Sequence, residues 1–153
     1  MVSQGAFLPL QAEFVRAFAE EWIAAWNNHD LEAILTHYEE EIELRSPVAQ
    51  RLLQGDGTVR GKARLREYFE LGLKAYPHLR FELVETLWGL ETIVLSYLNN
   101  VRGSKTAEVM LMSEAGKIRG VWANYDHCGQ GLLAWANLAG MWGWAGWPSK
   151  AMG

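Results

Sequence analysis

LRFELVETLWGLETIVLSYLNNVRGSKTAEVMLMSEAGKIRGVWANYD, residues 79–126, is a series of extended segments separated by turn residues. Leu79-Arg80-Phe81-Glu82-Leu83 alternates apolar and charged side chains, the period of a strand with one wet face, and the run continues to Trp88. Gly89 to Glu91 makes a turn. Thr92 to Asn99 is the next strand, Asn100 to Ser104 a turn, Lys105 to Met112 a third strand, Glu114-Ala115-Gly116 a turn, and Lys117 to Asp126 a fourth strand. Strands joined by turns this short pair antiparallel, because a parallel pair needs a crossover of a dozen or more residues. The stretch therefore predicts a four-stranded meander.

Upstream of it the period changes. Pro77 stops a helix read from Lys62 to Ala75, with Leu65, Phe69 and Leu73 on one face and Tyr68 and Leu71 beside it. Val48 to Arg60 contains Gly55-Asp56-Gly57 and reads as a loop. Glu41-Ile42-Glu43-Leu44-Arg45 alternates as a strand does, and Ser46-Pro47 ends it. Asp30 is suited to cap a short helix from Leu31 to Tyr38. Before it, Leu10 to Asn28 carries Phe14, Ala17, Phe18, Trp22, Ala25 and Trp26 at helical spacing. Helices first and hairpins after imply an α+β domain, with three N-terminal helices packed on one face of a mostly antiparallel sheet.

Downstream, Gly129 to Pro148 holds no charged residue, and Trp135, Trp142, Trp144 and Trp147 crowd the end of the chain. The length suits a membrane span of about 20 residues. Its five glycines and its tryptophans are less apolar than a Leu/Ile/Val run, so a strip packed on the protein is the better reading. Leu132, Trp135, Ala136 and Ala139 predict a short helix from Leu132 to Met141, and the pocket mouth is the expected docking place. The chain divides into a domain at 1–128 and an apolar extension at 129–153.

The whole sequence has 153 residues, half of them hydrophobic, and a net charge of −4. That suffices for one domain with a sizeable core. No basic run is present, which argues against a nucleic-acid partner. Cys128 is the only cysteine, so neither an intrachain disulfide nor a multi-cysteine zinc site is available. Without a charged n-region followed by an apolar h-region, the expected compartment is the cytoplasm.

Several strings resemble the SnoaL-like branch of the nuclear transport factor 2 superfamily: Trp26-Asn27-Asn28-His29-Asp30-Leu31, Tyr38-Glu39-Glu40-Glu41-Ile42-Glu43, Gly61-Lys62 with Leu65-Arg66-Glu67-Tyr68-Phe69, and Gly116-Lys117-Ile118. In order, they span roughly residues 12 to 127. The resemblance implies a conical fold in which the sheet curls around one apolar pocket, and it implies a homodimer. It does not imply one activity, since this fold serves isomerases, cyclases, epoxide hydrolases, dehydratases and binding modules.

Within such a pocket Glu108, Met110 and Met112 share one strand face. An inward Glu108 among apolar neighbours would have a raised pKa and suit general acid–base work. Tyr97 and Tyr125 are candidate phenol donors beside it. Trp22, Trp26, His37, Tyr38, Ser46, Met110 and Met112 are the expected ligand contacts. Departures from the family's patterns argue against two activities. The proton-abstracting Asp of ketosteroid isomerases corresponds to Ser46, and their oxyanion-holding Tyr to Trp22. The limonene-epoxide hydrolase arrangement fails at Ala123, and Ser96-Tyr97-Leu98-Asn99 supplies no Arg-x-Asp. Asp126-His127-Cys128 cannot converge on an ion from a strand, so neither metal nor cofactor is expected. The expected partner is a small, mostly apolar molecule, bound by a catalyst or by a non-catalytic module of the same fold.

Overall fold

Alternation from Leu79 onward builds the larger part of a six-stranded sheet in the computed structural model, which describes residues 9–100 and 104–126. The elements run α1 (Ala12–Asn27), α2 (Leu31–Leu35), β1 (Tyr38–Arg45), α3 (Pro47–Leu53), β2 (Thr58–Arg60), α4 (Lys62–Ala75), β3 (Phe81–Trp88), β4 (Thr92–Asn99), β5 (Ser104–Met112) and β6 (Ile118–Tyr125). The strand order is β2-β1-β6-β5-β4-β3. The meander β3 to β6 is antiparallel throughout, as its short turns require. β1 joins its free side, parallel to β6.

Three expectations change. The stretch read as a loop, Val48 to Arg60, contains helix α3 and strand β2, so the described residues hold four helices, not three. Ser-Pro ends a strand, but it also starts a helix. Ser46 is the N-cap, its hydroxyl accepting from the Val48 amide at 3.1 Å, and Pro47 takes the first helical position, where its missing N–H costs nothing. Ser46 N–H donates to the Gly57 carbonyl, which closes the excursion; Gly57 has φ +83 and suits that turn.

The second change is at Tyr38, which begins β1 and does not end α2. The register between β1 and β6 shifts between Tyr38 and Glu43. That irregularity brings Tyr38 and Ile42, four residues apart, to full burial and imitates helical spacing. The third concerns the helix stripes. In α1 the buried set is Val15, Phe18, Ala19, Trp22, Ala25 and Trp26, while Phe14 and Ala17 are exposed. In α4 it is Leu65, Tyr68, Phe69 and Gly72, with Leu71 turned outward.

The core lies between these helix faces and the inner side of the sheet, where Ile93, Leu95, Met110, Met112, Ile118 and Val121 are fully buried. Side chains also tie α1 to the start of β3. Asn27 Oδ1 accepts from the Phe81 amide at 2.7 Å, and its Nδ2 donates to the Phe81 carbonyl at 2.9 Å. His29 Nε2 lies 2.7 Å from the Leu79 carbonyl. Among the described residues no helix is long and apolar enough to cross a membrane. The extension at 129–153, with its expected helix and lid, lies outside the described residues, as do His127 and Cys128.

Candidate functional site

One end of the sheet stays open between α4 and the strands. There the last residues of β1, β4 and β6 meet the first residues of β3 and β5, and they line a pocket with a cavity volume of about 60 Å³. Its polar wall is Ser46, Tyr68, Tyr97, Asn99, Thr106, Glu108 and Tyr125; its apolar wall includes Trp26, Phe69, Phe81 and Ala123.

Strand register sets the acid in place. Glu108 pairs with Leu95 on β4 and with Ala123 on β6. The small Ala123 leaves space beside the carboxyl that a larger residue would fill. Tyr97 Oη donates to Glu108 Oε1 at 2.7 Å. Glu108 is half-buried, reachable from the pocket, yet protein surrounds its carboxyl closely. Desolvation pushes its pKa from the usual 4.5 to about 7, against the opposing hydrogen bond from Tyr97. No ion pair of the described residues reaches it.

The phenols respond to the same environment. Burial, and then the neighbouring Glu108 charge, hold Tyr97 well above the ordinary tyrosine range. Burial, followed by Tyr125 and Glu108, does the same to Tyr68. Both remain hydrogen-bond donors at any physiological pH. Tyr125 Oη stands 3.4 Å from Ser46 Oγ, so the serine that caps α3 also touches the pocket's phenol.

Of the ten expected site residues, Glu108, Tyr97, Tyr125, Trp26 and Ser46 share this pocket. Trp22, His37, Tyr38, Met110 and Met112 are not among its lining residues. Trp22 is fully buried behind the wall, stacked on Phe81 and donating from Nε1 to Tyr38 Oη at 3.1 Å. Met110 and Met112 do face inward, but farther along β5. At about 3.3 Å per residue, Met112 stands roughly 13 Å from Glu108. His37 is at the far end too, its Nδ1 3.0 Å from the Ala33 carbonyl and its ring edge-on to Phe18. Trp26 Nε1 is buried and makes no hydrogen bond among the described residues. It still acts on the Tyr38 hydroxyl as a donor, lowering that group's pKa against the larger rise from burial, although the contact falls outside strict hydrogen-bond geometry.

Tyr68, Asn99 and Thr106 line the pocket although sequence reasoning passed over them. The signals were present for all three. Thr106 continues the alternation Glu108, Met110, Met112 backwards by two residues, and Tyr68 belongs to the stripe Leu65, Tyr68, Phe69, Gly72. Asn99 follows Tyr97 by two on β4.

The profile of the SnoaL-like domain matches residues 19–118. The chain belongs to the SnoaL-like family. A SnoaL-like protein of unknown function from Burkholderia thailandensis is 33% identical, with a TM-score of 0.74 over 77% of this chain and 98% of that one. More distant likenesses establish the shared fold alone. A steroid delta-isomerase from Pseudomonas aeruginosa is 18% identical, with a TM-score of 0.64 over 88% of this chain and 93% of that one. The epoxide hydrolase/cyclase-like enzyme SalBIII of pyran ring formation in salinomycin is 18% identical, with a TM-score of 0.59 over 75% and 92%. No protein of curated function matches the chain. Among the described residues of this SnoaL-like domain, no group of three or more His, Cys, Asp or Glu is placed to hold a metal ion.

Proposed function

We propose that the pocket binds a small, mostly apolar molecule and that Glu108 exchanges a proton with it, in a cyclisation, isomerisation or dehydration. The observation that carries this reading is Glu108: an acid inside a largely aromatic wall, without an ion-pair partner among the described residues, and with a pKa of about 7. A carboxyl that titrates there supplies both protonation states near neutrality, which is what general acid–base catalysis requires. Tyr97 already donates a hydrogen bond to Glu108 and acts as its positioning residue. Tyr125 is the phenol that can turn towards a ligand oxygen. Trp22, stacked on Phe81 and bonded to Tyr38, supports the wall from behind.

The test has two stages. The organic extracts of wild-type protein and of an Ala123→Phe variant, which fills the space beside Glu108, are compared by mass spectrometry. A small compound that accompanies wild type alone is then incubated with wild type and with Glu108→Gln. Conversion by wild type and not by the variant supports the reading. Retention without conversion replaces it with a non-catalytic binding module. Retention that the Ala123→Phe substitution leaves unchanged places the ligand elsewhere.

A further inference from the structure

Among the described residues the pocket lining carries one carboxyl group, on Glu108, and no Lys, Arg or His. The rings of Trp26, Tyr68, Phe69, Phe81, Tyr97 and Tyr125 surround the same space. They brace one another: Phe81 and Tyr97 have centroids 4.3 Å apart, Trp26 and Phe69 4.8 Å, and Trp26 and Phe81 5.4 Å. Aromatic faces carry partial negative charge and attract a desolvated cation, most strongly where water is excluded. An anion entering this space would meet Glu108 among aromatic side chains, with no basic side chain among the described lining residues to offset the carboxylate. We infer that the pocket selects a cationic ligand head, a tertiary or quaternary amine borne by an otherwise apolar small molecule.

This inference rests on the pocket being a ligand site and adds the charge of what it takes. The cavity, about 60 Å³, is several times the roughly 10–15 Å³ that admits a single water. The titratable groups around Glu108 are phenols: Tyr97 from β4, Tyr38 from β1, Tyr68 from α4, and Tyr125 in the same pocket wall from β6. Among the described residues none supplies positive charge there. The carboxyl gains its charge as pH rises through about 7, so cation binding strengthens over that interval and releases a proton.

Three probes of one shape separate the possibilities when titrated calorimetrically into the full chain: choline, the neutral 3,3-dimethylbutan-1-ol and the anionic 3,3-dimethylbutanoate. At pH 8, choline binds at least tenfold more tightly than the alcohol, and the butanoate binds least. The preference shrinks at pH 6 and disappears in Glu108→Gln; should that variant not fold, the comparison of pH 6 with pH 8 on wild type decides. Equal binding of choline and the alcohol overturns the charge selection and leaves the ligand site standing. Silence from all three overturns the ligand-site reading and this inference together.

Discussion

Tyr97 and Glu108 are joined by a 2.7 Å hydrogen bond across β4 and β5, although they are not register partners. Tyr97 pairs with Thr106, and Glu108 with Leu95. The bond runs along a diagonal that only a long aromatic side chain spans. It leaves the second carboxyl oxygen to the pocket and links the acid's ionisation to the core, where Tyr97 packs at 4.3 Å against Phe81.

Glu108 makes stability depend on pH. Below its ordinary value of 4.5 the carboxyl is protonated in the folded and unfolded chains alike. Between 4.5 and about 7 the folded protein keeps a proton that the unfolded chain has released, so stability falls as pH rises through this window. Glu108→Gln removes the slope. Allowing for the carboxyl's partial exposure, the variant gains about 1–2 kcal/mol over wild type at pH 8. At pH 4 it gains none. Thermal unfolding across pH 4 to 8 checks this, and parallel profiles for the two proteins would contradict it.

Removing the Tyr97 hydroxyl acts in the opposite sense on the acid. The hydrogen bond it donates lowers the pKa of Glu108, so Tyr97→Phe raises it further. Carboxyl carbon shifts from ¹³C-labelled glutamate, followed through pH 5 to 9, should show Glu108 titrating at higher pH in the variant. An unmoved midpoint would mean that the bond is not made in solution.

Asn27 holds the start of β3 through paired bonds to the amide and carbonyl of Phe81, itself a pocket residue. Asn27→Ala leaves both partly buried backbone groups without this partner, at a cost of about 1–3 kcal/mol. Urea unfolding should show a lower midpoint at unchanged slope. An effect no larger than that of an exposed substitution such as Glu20→Ala would show that water replaces the side chain fully.

The homodimer implied by family resemblance is proposed to form through the outer face of the sheet. Val94, Val109 and Trp122 lie in one cross-strand row there, and Trp122 is 42% exposed. Light scattering should give twice the 17.3 kDa chain mass for wild type and the single-chain mass for Trp122→Glu. A wild-type monomer at 0.1 mM, or a dimer that tolerates the charge, argues against this face.

Period and punctuation determine much of this protein on their own. Alternation with short turns from Leu79 to Asp126 sufficed for the antiparallel meander, because the side-chain period of a strand and the reach of a tight turn are local properties. Lys62 to Ala75, bounded by Gly61 and Pro77, emerges with the same ends in the structure. Inward-facing Glu108 follows from the same alternation. Other features depend on contacts between distant segments. Ser46-Pro47 is compatible with a strand end and a helix start, and here it is both, with the Gly57 carbonyl receiving the serine's amide from eleven residues on. The irregularity between Tyr38 and Glu43 takes shape only against β6. Alternation assigns Met110, Met112 and Glu108 to one face but says nothing of depth along the strand. Tertiary packing decides that: Tyr68 and Tyr125 line the pocket at the Glu108 end, whereas Met110 and Met112 are fully buried in the core.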